Sequence, residues 1–236
     1  MEEVLSEIRN FGYAIVEKFL TDAQVEVLRE ESDNIVELAF QQKGARGSDN
    51  ERAAREFGCI FEALPRWRCQ NPEAWTSNDV YFTERAKWPC SPYVRDIIQG
   101  SVMMSVLTGL LGPSPFLLND QHIVKQGNST LSGFGWHKDS DRMTELGAAH
   151  RQYISVWCAL DDINPGNGGL VVKPYLEQAA DPIDAPAGTA VLLSSNILHK
   201  SGPNRTSHPR RAWMPQFSRE PILLDNNPVS FAVPLE

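Results

Sequence analysis

No stretch of this 236-residue chain approaches the run of about 18 apolar residues that a membrane-spanning helix needs, so an α-helical membrane protein is excluded. Positive charge is also short. A formal net charge of −8 and a pI near 5.2 give no field that gathers phosphates, which argues against nucleic acid and anionic membrane surfaces as partners and leaves only a local basic pocket. The four cysteines, Cys59, Cys69, Cys90 and Cys158, form no C-x-x-C pair, which argues against thiolate-held zinc, and reduced, mostly buried thiols are expected. The opening "MEEVLSEIRNFGYAIVEKFL" begins with acids and interrupts its apolar runs with charges, unlike a secretory leader, and "PLE" at the end matches no anchor or retention signal, so a cytoplasmic location is expected. Repeats and low-complexity segments are missing as well, and the length suits one domain over residues 1–236.

What is present reads as helices followed by strands. Residues 3–9 suit a short helix, and "GYAIVEKFL" from Gly12 has the β-branched and aromatic content of a strand. Thr21 with Gln24 makes a capping-box pattern before Val25, Leu28, Ile35 and Leu38 at helical spacing, with a helix end expected near Phe40. Residues 41–56 read as a loop. The aromatics Phe61, Trp67, Trp75, Tyr81, Phe82 and Trp88 among Arg66, Arg68 and Arg85 suit either core packing or the wall of a substrate pocket. "SPYVRDIIQGSVMMSVLTGLLG" reads as two helical pieces divided at Gly100 and closed by Gly112. Residues 1–112 are thus expected to supply mainly helical support and lid segments, and 113–236 a mainly β core. There the runs "PFLLNDQHIVK", "RQYISVWCALDD", "GGLVVKP", "GTAVLLSS" and "RRAWMPQFS" are separated by Gly, Pro and Asn clusters, as in a sandwich or closed barrel. Along "NDQHIVK", Asn119, Gln121 and Ile123 alternate with Asp120, His122 and Val124, which turns one polar set inward.

The chemistry centres on "GWHKDSD". In a strand, His137 and Asp139 project to one side and can share a metal ion. A His-x-Asp pair also arises by chance in roughly one of every three or four sequences of this kind, so the alternative is a solvated corner. A metal needs a third ligand. His199, after "GTAVLLSSNIL" and before a turn-rich segment, sits at a strand end where a barrel mouth presents ligands inward. Two histidines and one carboxylate on one triangular face leave three positions open on iron. Arg210 opens the next strand, where a guanidinium can clamp a carboxylate through two parallel hydrogen bonds or serve as a surface charge.

In order along the chain, "GWHKDS", "VWCALDDINPGNGGLVVKP" and "GTAVLLSSNILHKSGPNRTSHPRRA" resemble the phytanoyl-CoA dioxygenase-like family of iron(II)- and 2-oxoglutarate-dependent oxygenases. The resemblance runs from about Asp120 to Phe217, and "GYAIVEKFL" with the helix after it resembles the family's opening. It implies a mainly β fold with flanking helices, a double-stranded β-helix of the jelly-roll, cupin-like kind. It further implies iron(II) held by His137, Asp139 and His199, and 2-oxoglutarate held at its distal carboxylate by Arg210 with a second hydrogen bond from Ser201. Trp157 and Gln121 match positions that line the cosubstrate pocket, and Lys125 matches a recurrent family lysine. Asp161, Asp162, Asn164, Asn167, Gly168 and Gly169 are expected to build a hairpin turn, and Pro203 and Asn204 the turn after His199. His122, His150 and His208 are expected to pack or lie on the surface.

Two departures and one match bear on activity. Lys138 stands where the family usually has glutamine, and "KPYLEQAADPIDAP" lacks the family's Pro-Gly-Ser-His run, so no substrate contact carries over there. Asp139 occupies the position that an iron halogenase leaves small, which disfavours halogenation. The expected reaction uses dioxygen and 2-oxoglutarate to oxidise a C–H bond of a small molecule, secondary metabolites included. Hydroxylation is the default; desaturation, cyclisation, epimerisation and rearrangement share the same first step. "SDRMTELGAAHRQ" and the segment from Arg66 to Trp88 are candidate lids. The competing readings are a cupin-like metalloenzyme that does not use 2-oxoglutarate and a non-catalytic jelly-roll binding module.

Overall fold

The first helix, α1 (Glu2–Phe11), stops at Gly12, whose φ of 83° suits glycine and whose backbone N–H returns to the Ile8 carbonyl. A side chain there would also strike Ile197 and Tyr175, so Gly12 lets the chain turn tightly into the sheet. The computed structural model describes residues 1–42, 59–65, 69–87 and 93–235. The capping box forms: the Thr21 N–H donates to Gln24 Oε1 and the Gln24 N–H to Thr21 Oγ1. It starts α2 (Asp22–Gln42), which runs two residues past Phe40 because Gln41 continues the helix with a side-chain bond to Glu37. The rest of the expected loop at 41–56 lies outside the described residues. Helix α3 (Asn78–Arg85) starts at the Ser77 cap, and α4 (Val94–Ile98) and α5 (Ser101–Leu111) are divided at Gly100 and end at Gly112. Among the described residues no helix is long and apolar enough to cross a membrane.

The strands in chain order are β1 (Tyr13–Val16), β2 (Ile60–Glu62), β3 (Phe116–Asn119), β4 (Gln121–Lys125), β5 (Phe134–His137), β6 (Ile154–Ala159), β7 (Leu170–Lys173) and β8 (Asp181–Pro182). They continue with β9 (Ala190–Ser194), β10 (Leu198–Ser201), β11 (Arg210–Trp213), β12 (Gln216–Ser218), β13 (Leu223–Leu224), β14 (Asn227–Pro228) and β15 (Val233–Pro234). A large antiparallel sheet runs β15-β3-β12-β6-β11-β4-β2, with β9 on the other side of β6 and β1 paired to β9. A smaller sheet, β5-β10-β7-β8, faces it, and together they make the mostly β, double-stranded β-helix. Strands β6 and β9 are buried along their whole length, which explains why they read as continuous apolar runs and not as alternating ones.

Two of the sequence runs break. "PFLLNDQHIVK" becomes β3 and β4 because Asp120 leaves the ladder to accept hydrogen bonds from Tyr81 Oη at 2.6 Å, Arg85 Nε at 2.8 Å and Trp213 Nε1 at 2.7 Å. "RRAWMPQFS" breaks at Pro215, which has no N–H for the ladder. Arg85 also pairs with Glu31 on α2, so α2, α3 and the sheet are tied by a fully buried ionic cluster. This resolves the aromatic and arginine-rich segment in favour of packing at Tyr81, Phe82 and Arg85; Arg66, Trp67, Arg68 and Trp88 lie outside the described residues. The polar alternation along β4 is real: Gln121 and Ile123 line a cavity, while His122 is buried on the other face against Ser32 of α2. Cys59, Cys69 and Cys158 are free and buried, and Cys90 is outside the described residues.

Candidate metal and anion site

Cross-strand register brings the two metal-ligand candidates together, because His199 on β10 is the direct partner of His137 at the end of β5. Their rings lie 4.3 Å apart between centroids. Each donates its Nδ1 hydrogen to a backbone carbonyl two residues earlier, His137 to Gly135 at 2.8 Å and His199 to Ile197 at 3.1 Å. That bond fixes the tautomer and leaves both Nε2 lone pairs pointing at a common space. Asp139, just beyond β5, sends Oδ1 into that space, 3.7 Å from His199 Nε2 and 4.0 Å from His137 Nε2. One ligand atom from each of the three residues lies within 4.8 Å of the others. Burial holds the His199 imidazole below its ordinary pKa, His137 adds to that, and Asp139 opposes it. Two imidazoles and one carboxylate make a donor set that fits iron(II) and leaves part of its coordination open.

The same cavity, about 260 Å³, is lined by Arg210, Ser201, Trp157 and Gln121, so the metal-ligand and cosubstrate candidates of the sequence meet at one place. Arg210 is 1 % exposed. Its Nη2 donates to the Gly168 carbonyl at 2.8 Å and its guanidinium lies over the Trp157 ring at 5.3 Å, while Nε and Nη1 are buried without a partner. Burial depresses Arg210 to about 10, which still leaves it charged at neutral pH. A buried guanidinium with two unpaired donors is costly unless an anion completes it, so the cavity fits a carboxylate such as the distal one of 2-oxoglutarate.

Lys125, the register partner of Arg210, stands behind Ser201 and is fully buried. Its Nζ donates to Ser201 Oγ at 2.6 Å and to the Gly202 carbonyl at 2.5 Å, which frees the serine hydrogen for a ligand. Burial, with the Arg210 charge second, pushes the Lys125 ammonium down to about 7. An unfolded lysine titrates near 10.4, so between about pH 7 and 10 the unfolded chain binds the extra proton and stability rises with pH. Below about pH 7 the full penalty of the buried charge remains. Urea unfolding of wild type and Lys125→Met across pH 6–10 is expected to show that rise in the wild type and its loss in the variant; parallel curves would contradict it.

The turn around Gly168 positions the arginine. Asn164 and Asn167 cap each other reciprocally, and Gly168 has φ 77° with no room for a side chain, since a Cβ would come within 2.5 Å of the Gly202 carbonyl. Gly168→Ala is expected to cost about 1–3 kcal/mol and to lower Tm by several degrees, an unchanged Tm arguing that the turn has another path. Asp161 pairs with Arg29 and Arg211, and Asn204 ties its own turn to the Lys125 and His208 carbonyls, so these residues are scaffold as expected. His122, His150 and His208 lie apart from the cavity: buried against Ser32, half-buried with its Nδ1 against the Ala148 carbonyl, and exposed.

The sequence reading missed Ser155 and Gln216, which hold the second oxygen of Asp139, and Tyr153, Phe134 and Met214 in the cavity wall. The available signal was a polar residue inside an apolar strand, Ser155 in "YISVWCA" and Gln216 in "WMPQFS". Arg142 and Met143, from the candidate lid after Asp139, line the cavity from helix α6 (Asp141–Glu145).

Comparison with curated proteins gives no match. Among solved structures, EctD from S. alaskensis, determined with 2-oxoglutarate and 5-hydroxyectoine, aligns with a TM-score of 0.69 at 16% identity over 96% of this chain and 79% of its own. SnoK, a non-heme alpha-ketoglutarate-dependent carbocyclase from nogalamycin biosynthesis, aligns at 0.67 and 15% over 100% and 93%. The non-heme monooxygenase ThoJ in its nickel complex aligns at 0.60 and 18% over 96% and 84%. At these identities the likeness establishes the fold. Residues 8–212 match the family model of phytanoyl-CoA dioxygenase, and with the His137, Asp139 and His199 triad in place the chain belongs to that family of non-haem iron, 2-oxoglutarate-dependent oxygenases.

Proposed function

We propose that this protein oxidises a C–H bond of a small molecule, with iron(II), 2-oxoglutarate and dioxygen, and hydroxylation as the default outcome. The observation that carries the reading is one cavity holding both a three-residue metal donor set and a buried guanidinium with two donors unpaired. Iron with its cosubstrate and dioxygen supplies the oxidising power, 2-oxoglutarate leaving as succinate and carbon dioxide. The chain supplies placement. His137, Asp139 and His199 would hold the metal; Arg210 and the Ser201 hydroxyl would hold the distal carboxylate; the Trp157 face carries the guanidinium; and Gln121 lines the cavity beside them. Ile123, Leu170 and Met214 complete the wall and keep water from the reacting centre.

A second cleft, about 410 Å³, shares Asn119, Gln121, Arg142 and Met143 with the first and continues past Leu64, Trp75 and Phe231. The inner cavity is at the small end of ligand sites, so it suits the five-carbon diacid and the outer cleft suits the substrate. The mixture of Glu62 and Arg142 with apolar walls in the outer cleft fits a small, partly polar molecule, secondary metabolites included, and among the described residues gives no continuous basic track for a polymer. The direct test is succinate release from 2-oxoglutarate with iron(II) and air, measured against a panel of small molecules. Stimulation by a panel member identifies the substrate class. Tight iron with no affinity for 2-oxoglutarate would favour the cupin-like metalloenzyme reading instead.

A further inference from the structure

We propose that Ser155 and Gln216 are positioning residues that hold Asp139 as a one-oxygen metal ligand and thereby keep open the coordination position that dioxygen needs. The inference rests on the oxygenase reading above and concerns the far side of the same carboxylate. Asp139 offers two oxygens. Oδ1 faces the two imidazoles, whereas Oδ2 accepts the Ser155 hydroxyl hydrogen at 2.5 Å and a Gln216 Nε2 hydrogen at 3.1 Å. The other Nε2 hydrogen goes to Ser155 Oγ at 2.8 Å, so each donor also braces its neighbour.

The amide cannot turn over. Gln216 Oε1 accepts from Asn119 Nδ2 at 2.5 Å and Asn119 Oδ1 from the Ser230 hydroxyl, so the acceptor-only Asp139 carboxylate, which takes the Gln216 Nε2 hydrogen, sets the direction of the whole chain. A flipped Gln216 would set oxygen against the carboxylate and nitrogen against nitrogen. Sheet register builds the arrangement, since Gln216 on β12 is the direct partner of Asn119 on β3 and of Ser155 on β6. Ser155 and Gln216 are 0% and 4% exposed, so water does not compete for these bonds.

Two imidazoles and one carboxylate oxygen leave three of six sites on iron; a chelating 2-oxo acid takes two, and one remains. A second carboxylate oxygen would take that last site. Hydrogen bonds to a charged acceptor are the strong kind, and Asp139 would have to give up two of them to swing Oδ2 onto the metal.

The test uses manganese(II) alone as the probe and counts metal-bound waters from the broadening of its electron paramagnetic resonance lines in isotopically labelled water. Wild type is expected to hold three waters, and one after 2-oxoglutarate is added. Ser155→Ala/Gln216→Met is expected to hold two, and none with 2-oxoglutarate, while keeping manganese affinity within about tenfold and losing about 10- to 100-fold in oxygen-dependent turnover. Ser155→Ala alone removes one oxygen atom from a strand interior and is expected to lose the same water in part of the molecules, so the test survives if the double variant does not fold. Three waters in the folded variants, or loss of manganese binding from them, overturns the proposal. Failure of the wild type itself to bind manganese or iron would instead strike the oxygenase reading on which it rests.

Discussion

His199→Ala is expected to abolish specific iron(II) binding and, with it, 2-oxoglutarate turnover, by more than the roughly 10- to 100-fold typical of changes in the outer shell of a metal site. The reason is geometric. His199 is the buried member of the donor set, its Nδ1 hydrogen is committed to the Ile197 carbonyl, and its ring is braced by His137 across the β5–β10 pair. Without Nε2, the two remaining ligands are the half-buried His137 and Asp139, a pair too sparse to hold a labile divalent ion. Folding should survive, because the imidazole is replaced inside a cavity and the strand ladder around it is unchanged; a Tm within a few degrees of wild type is expected. Metal content and Tm measured on the same sample separate this from a binding module, in which the substitution would move stability alone.

Arg210→Met is expected to act on the other half of the site. Iron should still bind, because no metal ligand contacts the arginine, but the dissociation constant of 2-oxoglutarate should rise by the equivalent of about 2–5 kcal/mol, roughly 30- to 5,000-fold. A methionine fills much of the volume beside Trp157, so the loss reports the charge and its fork of donors and not a hole. Calorimetric titration of 2-oxoglutarate into the metal-loaded protein reads it. An unchanged affinity would mean that Nε and Nη1 await some other partner and that this chain has no use for the diacid at this position.

Much of this was legible from residues that act locally. The Thr21 and Gln24 cap, the glycines at 100 and 112, and the apolar runs of β6 and β9 each announce themselves within a few positions, since capping and burial are local in sequence. The metal and anion residues were legible for a different reason: their order along the chain resembles a family, whereas the spacing of His137 and Asp139 alone left a chance pair possible. Hidden from both kinds of reading was whatever depends on which strand lies beside which. Strand β2 is only three residues long and has no periodicity of its own; pairing with β4 makes it a strand and puts Ile60 in the cavity. Gln216 and Ser155 are sixty-one positions apart and become neighbours only through the β6–β12 ladder. Arg85 reads in the sequence as either core packing or a pocket wall because buried arginines are uncommon, and Glu31 and Asp120, from two other elements, explain its burial.

Whether one cavity binds iron(II) and 2-oxoglutarate together is read by an anaerobic titration of both, followed by the weak visible charge-transfer band of the chelated complex, in wild type and in Asp139→Ala. The expected result is a band that needs both additions and weakens in the variant. No band and no tight iron in folded wild-type protein would contradict it, and would return His137 and Asp139 to an accidental pair on a jelly roll.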